Sequence, residues 1–359
     1  MEESLKKFCV FCGKKPDKKN KEHILPSWLI NLTGDPNRVV FHGFNYAKNE
    51  FFRFDWASLV FPSCSQCNSN YSELEKKVKN IIVTLLARKS VLQSDYILLL
   101  DWFDKVRTGM WLGYLQLRKN LVGINPRFFI NTRVGIKDRM LAIYPIDNQP
   151  DGLNVHAVET LTFQLKPSCF SMRINDLYFL NLSWDFMCSA RCGFPFPEYW
   201  YIDADNDYAF AYQNIILLNK IKSPIIRNYK IIKPSIYIFQ PIILKEIIGK
   251  FTPTEMLKKK LLVGSDTKGV LFRQHDNYVE VIQNDSTTID FNEINKSESR
   301  HMIDIVRQSY HLQYKTILDD NFYDQSNEGK HNYKEWKKFI KREYDSIITN
   351  SKKKKKHIT

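Results

Sequence analysis

From Asn68 onward, apolar residues return every three or four positions: Leu74, Val78, Ile81, Ile82 and Leu85 form one stripe, with Glu73, Glu75, Lys76, Lys77 and Lys79 opposite. That period predicts an amphipathic helix, within which a Glu75–Lys79 pair at i,i+4 is the expected surface contact. A second helix is predicted over Asp95 to Lys119, carrying Leu98, Trp102, Val106, Met110 and Tyr114. Its Trp102, Trp111 and Tyr114 read as core contacts rather than a stacking platform. After Asn120 the texture changes. Val134–Tyr144, Leu161–Leu165, Leu177–Trp184, Tyr199–Ile202 and Tyr208–Tyr212 are β-branched or aromatic runs separated by Gly, Pro, Asn and Asp. They predict a mainly antiparallel sheet, with the cluster before Gly152 marking a hairpin loop. Asn45 to Phe54 reads as a strand or hairpin insertion, 215–248 as further sheet and connector, and 272–289 as a short β stretch. Helices are expected over 253–262, with Thr252 as cap and Pro253 in the first position, and over 297–318 and 334–348. The like-charge run Lys352–Lys356 predicts a segment without fixed structure. Together these elements place the chain in the α+β class.

With 359 residues, 43% hydrophobic and 14% aromatic, the chain has material for more than one buried core. No apolar run reaches the 18 residues of a membrane span, and the first residues lack the pattern of a signal peptide. A soluble, cytoplasmic protein is therefore expected. Fifty-three Lys and Arg against 39 Asp and Glu give a formal charge of +14, which suits a polyanionic partner.

Candidate chemistry is concentrated near the N-terminus. Cys9-Val10-Phe11-Cys12 and Cys64-Ser65-Gln66-Cys67 are C-x-x-C pairs, Glu22-His23 lies between them, and Asn68 follows the last cysteine. Two such thiolate pairs can close a tetrahedral Zn²⁺ shell. A closed Cys₄ shell has no open position, so zinc there is structural and any chemistry falls to other groups. His23 offers an imidazole, a side chain suited to act as a general base. Glu22 offers a hard oxygen suited to Mg²⁺, and Asn68 an amide carbonyl. Neighbours on a strand point to opposite faces, so Glu22 and His23 share one site only where the strand bends or ends. Pro26 makes an early end natural, with Ser27-Trp28-Leu29-Ile30 as a short amphipathic turn beyond it. The run Lys14–Lys21 reads as a solvated loop beside this site, a lip able to face phosphates. Cys169, Cys188 and Cys192 lack a usual zinc spacing and read as buried thiols.

In combination these motifs resemble the HNH endonucleases, the ββα-metal nuclease class, in a zinc-stapled, treble-clef-like form. The resemblance covers roughly the first quarter of the chain, the size of a small metal-stapled module. It implies Cys9, Cys12, Cys64 and Cys67 as zinc ligands, Glu22 and Asn68 as ligands of a catalytic Mg²⁺ or Mn²⁺, His23 as the base, and Asn68 opening the helix. The family's third active-site residue has no matching side chain; Ser72, Tyr71 and Glu75 are the candidates. The implied organisation is a nuclease module over 1–90, a helix plus β-rich domain over 91–250, an α/β segment over 251–350 and a basic tail over 351–359. The expected function is metal-dependent hydrolysis of DNA, with RNA as the alternative polymer and host defence against foreign DNA as the setting such fusions suggest. A protein partner or a second copy would engage the region after residue 120, and no membrane is involved. The alternative from another class is a non-catalytic zinc module that binds nucleic acid or protein.

Overall fold

A computed structural model of the chain describes residues 7–18, 20–45, 50–117, 129–146, 149–187, 189, 196–203, 209–216, 234–242, 263–264, 267–268, 271–274, 279–282, 288–290, 299–318 and 327–358. The strands are β1 (Asn20–His23), β2 (Val39–Asn45), β3 (Glu50–Asp55), β4 (Val60–Ser63), β5 (Val91–Leu92), β6 (Asp138–Pro145), β7 (Leu153–His156), β8 (Cys169–Ile174), β9 (Leu177–Trp184), β10 (Phe196–Asp203), β11 (Ala209–Ile216), β12 (Ile236–Gln240), β13 (Val263–Gly264), β14 (Thr267–Lys268), β15 (Leu271–Gln274), β16 (Val279–Ile282) and β17 (Thr288–Ile289). The helices are α1 (Ser27–Leu32), α2 (Ser65–Leu86), α3 (Gln93–Leu117), α4 (Leu161–Leu165), α5 (Ser299–Leu318) and α6 (Asn327–Ile358). The class is mixed α+β with antiparallel sheets.

At the N-terminal end, β1 pairs antiparallel with β4, Glu22 opposite Phe61 and His23 opposite Val60, and α2 follows β4 after Cys64. Between these two strands, β2 and β3 form the hairpin read from the 45–54 segment. The larger body is a seven-stranded antiparallel sheet ordered β16-β15-β12-β6-β9-β8-β7. Alternation along β6 divides its side chains between two cores. Leu141 and Ile143 join Phe170, Met172, Phe179 and Ile238 on one face, while Met140, Ala142 and Tyr144 join Cys169, Leu180 and Phe239 on the other. The first face is continuous with Cys9, Phe11, Ile24 and Phe61, and the second with Ile305 and Leu312 of α5.

Between the β1–β4 pair and the sheet runs α3, buried from Trp102 to Leu115. Trp102, Trp111 and Tyr114 are indeed core residues, and Trp111 Nε1 donates to the Gln164 carbonyl at 2.7 Å. A stripe at i, i+4, i+8 on α3 faces β1 and β4. Lys105 reaches the His23 carbonyl, a Cβ on Gly109 would stand 2.7 Å from Ile24 Cδ1, and one on Gly113 would stand 2.6 Å from Leu59 Cδ2. A second set of α3 side chains holds the sheet. Arg139 of β6 bonds Asp101 at 2.6 Å, Asp104 at 3.1 Å and Gln240 at 2.7 Å, while Arg107 bonds Asp104 at 2.6 Å and also Asn181.

Several sequence expectations are corrected. Leu161–Leu165 is a helical turn, not a strand: Thr160 Oγ1 accepts the Phe163 N–H at 2.9 Å, and Glu343 of α6 accepts the Leu161 N–H at 2.7 Å. A five-residue apolar run is too short for its period to separate the two states; the caps decide it. The loop containing Gly152 is no hairpin turn, because β9 and β8 lie between β6 and β7. The tight hairpin is instead Asn175-Asp176 between β8 and β9, where Asn175 takes a left-handed φ of 51°. The 272–289 stretch divides, with β17 leaving the sheet to pair with β5. Helix α6 runs through Lys352–Lys356, in keeping with the good intrinsic helix propensity of lysine. Cys169 is a buried thiol as expected, whereas Cys188, Cys192 and the 253–262 helix lie outside the described residues.

The close approach at Gly109 yields a stability prediction. Gly109→Val places branched carbons against the buried Ile24 and should lower unfolding stability by about 1–3 kcal/mol, the usual cost of overpacking. A urea midpoint equal to wild type would show that α3 does not rest on Ile24 at this position.

Candidate metal centre

The first C-x-x-C pair lies on a closed knuckle: the Cys9 N–H donates to Lys14 O at 2.8 Å and the Gly13 N–H to Cys9 O at 2.9 Å. Gly13 has φ +73°, and a Cβ there would strike the Phe129 ring at 2.3 Å. The knuckle is tied to β4 by Val10 N–H to Pro62 O, and to the turn at 130–132 by Ile130 N–H to Val10 O and Asn131 N–H to Phe11 O. The second pair opens α2, with Cys64 as its N-cap and Cys67 in its first turn. All four sulfurs lie within 4.8 Å of one another, with Cys12 Sγ to Cys64 Sγ at 3.7 Å and the Cys64 N–H directed at Cys9 Sγ at 3.3 Å. Four sulfurs about 2.3 Å from one Zn²⁺ stand roughly 3.8 Å apart, so the cluster can hold such an ion.

Packing the four thiols together disturbs their ionisation. Burial, then the sulfurs of Cys12 and Cys9, push the Cys64 thiol up to about 11; burial, then the charge on Cys9 and contact with Cys12, push Cys67 up to about 12. Against its own burial, Cys12 is drawn below the ordinary value by the Lys14 backbone N–H and the other thiols. Four thiols at this spacing cannot all ionise by themselves. A divalent ion removes the conflict, because thiolates, not thiols, ligate it.

Beside the thiols lies a second polar cluster. Glu22 is 7% exposed. Its Oε1 is 2.5 Å from Lys105 Nζ, and its Oε2 accepts from Asn68 Nδ2 at 3.2 Å. Asn68 Nδ2 also faces Ser63 Oγ at 3.2 Å and Lys21 O at 3.4 Å, while Ser72 Oγ donates to Asn68 Oδ1 at 3.5 Å. Lys105, 0% exposed, also bonds Glu75 and lies 3.4 Å from the His23 carbonyl oxygen. Burial raises the Glu75 pKa, with Lys105 opposing and Glu22 adding to the shift. The structure thus brings together Glu22, Asn68, Ser72 and Glu75 from β1 and α2. His23 ends β1; its ring forms no hydrogen bond to Glu22 or Asn68, and among the described residues its buried Nδ1 has no hydrogen-bond partner.

Three details differ from the sequence reading. Glu75 turns inward to Lys105 rather than outward to Lys79. Asn68 does not open α2, which begins at Ser65; it is the fourth helical residue, its N–H donating to Cys64 O at 2.9 Å. Tyr71 stacks on Phe11 at 4.2 Å and donates to Asn131 Oδ1 at 3.0 Å, so it braces the knuckle. The residue missed altogether is Lys105. Its signal was present: it shares an i, i+4, i+8 row with Gly109 and Gly113, two residues that invite close approach of another backbone or side chain. The lip is anchored, since Asp17 Oδ1 accepts the Ser65 N–H at 2.9 Å and Asn20 Nδ2 donates to Ser65 Oγ at 3.0 Å. Lys14, Lys15, Lys18 and Lys21 are exposed along it.

Comparison with protein-family models, curated proteins and solved structures finds no match for this chain. Among the described residues, no helix is long and apolar enough to cross a membrane.

Metal removal tests the thiol cluster directly. Wild-type protein should carry about one zinc per chain, and Cys67→Ser should carry almost none while losing thermal stability, because structural zinc contributes on the order of 10 kcal/mol to small modules. Cys169→Ser should keep its zinc. Full zinc occupancy in Cys67→Ser, measured by elemental analysis, would remove that residue from the ligand set.

Proposed function

We propose that the zinc-clasped unit is a metal-dependent phosphodiesterase of the HNH, ββα-metal kind that cleaves DNA. The observation that carries this reading is the convergence of Glu22 and Asn68, 46 positions apart, at 3.2 Å beside the terminal residue of β1, His23. A carboxylate and an amide carbonyl form a donor set that Mg²⁺ or Mn²⁺ accepts, although Asn68 would have to turn its Oδ1 toward Glu22. Such an ion, when bound, supplies Lewis acidity at the scissile phosphate.

The chain's own groups do the rest. His23 takes the proton from the attacking water, a task suited to a neutral imidazole. Lys14, Lys15, Lys18 and Lys21 draw the phosphate backbone toward the edge of β1, and the formal charge of +14 favours the same polymer at longer range. The zinc thiolates fix the start of α2, and with it the position of Asn68.

A second reading rests on a specific observation. Both oxygens of Glu22 already have protein partners, Lys105 and Asn68, as expected of a carboxylate that only stabilises a zinc-clasped binding module. Under that reading the unit binds nucleic acid or protein without cutting it.

Cleavage of supercoiled plasmid with Mg²⁺ or Mn²⁺ separates the two. His23→Ala should lose about 10²-fold or more of the cleavage rate with zinc content unchanged, the usual contribution of a general base. Near-wild-type cutting by His23→Ala would refute the mechanism, and absence of cutting by wild type on both DNA and RNA would favour the binding module. Reversal of Lys14, Lys15 and Lys18 to Glu should weaken DNA binding and lower the slope of log K against log salt by about 0.9 for each lost phosphate contact. An unchanged slope would place the polymer elsewhere.

A further inference from the structure

The ammonium of Lys105 sits in a cage of oxygens. It meets Glu22 Oε1 at 2.5 Å, an oxygen of Glu75, and the His23 carbonyl oxygen at 3.4 Å, with no exposure to solvent. Two carboxylates and a carbonyl are the donors that hard divalent ions prefer. Here they surround a cation carried by the chain itself. The lysine comes from α3, whereas the oxygens come from β1 and α2, so the cage forms only when these elements pack together. It also grips both members of the Glu22-His23 dipeptide, one by its side chain and the other by its backbone.

A buried pair that merely docks α3 could use any carboxylate. This one uses the carboxylate whose other oxygen faces Asn68. We propose that Lys105 is a positioning residue of the Glu22–Asn68 site: a tethered cation that occupies the inner side of Glu22, leaves only Oε2 for a divalent ion, and so limits the site to one such ion. The proposal rests on the reading of Glu22 and Asn68 as a metal site. In this arrangement the protein itself holds Glu22 in one orientation, whether or not the outer position is filled.

The consequence is a change in metal stoichiometry. In Lys105→Ala the cage retains its three oxygens and loses its cation, so it should admit a divalent ion in its place. Mn²⁺ binding to the full-length, zinc-loaded chain, followed by electron paramagnetic resonance, should show one site in wild type and two in Lys105→Ala. Glu75→Gln, which keeps the ammonium, should show one. A role confined to docking α3 would lower the melting temperature of Lys105→Ala without adding a site.

Should Lys105→Ala fail to fold, Lys105→Met combined with Glu75→Gln removes one charge of each sign and keeps the apolar stem of the side chain. With net charge unchanged, loss of the tethered cation should weaken the single Mn²⁺ site at least tenfold. Wild-type affinity in that double variant, or one Mn²⁺ in both wild type and Lys105→Ala, overturns the proposal and leaves the metal-site reading standing. No Mn²⁺ bound by wild type overturns the metal-site reading, and the proposal with it.

Discussion

An ammonium group with no access to water must be matched where it lies, and Lys105 is such a group. Its partners, Glu22 and Glu75, come from a strand and a helix that precede it by 83 and 30 positions. Removing one member of a buried pair typically costs about 3–5 kcal/mol, because the remaining charge is stranded. The ion pair therefore specifies geometry as much as it stabilises. It fixes how far α3 slides along β1 and which way it is turned. The next residue back, Asp104, does the same toward the sheet through Arg139 of β6. Consecutive residues on one helix thus bind the two halves of the fold, and the glycines at 109 and 113 let that helix approach closely enough for both.

The thiol cluster imposes a matching constraint from the other end. Cys64 and Cys67 set the rotation of α2 at its first turn. Asn68, Ser72 and Glu75 then follow at steps of about one turn on the same side, with Asn68 directed at β1 and Glu75 at α3. The hydrogen bond from Ser72 to Asn68 and the ion pair from Glu75 to Lys105 continue the row. The packing of the four cysteines thus governs where these side chains point, because it fixes the origin of the helix that carries them.

Much of this was legible along the chain. The stripe Leu74, Val78, Ile81, Ile82 and Leu85 marks α2 because a helix buries one face, and Val78, Ile81, Ile82 and Leu85 are buried. The bounds of β9, Leu177 to Trp184, coincide with its apolar run. Strand β8 escaped notice because Cys-Phe-Ser-Met-Arg-Ile carries polar residues on a face that is buried all the same, where Arg173 is satisfied by Asn154 Oδ1 at 2.8 Å. Leu161–Leu165 misled for the opposite reason: its residues suit either state, and Glu343 from the far end of the chain selects the helix.

The sequence by itself determined the thiol spacing, the helical and strand periods and the placing of Glu22-His23 and Asn68 near the cysteines. These are properties of ligand chemistry and local backbone geometry, readable within a few turns of chain. Only the tertiary structure decided that Glu75 faces inward, that Asn68 meets Glu22, and that a lysine from α3 closes the cluster. The direction of a charged side chain depends on where its counter-charge lies, and that counter-charge arrives from an element whose position is set by the packing of the whole core.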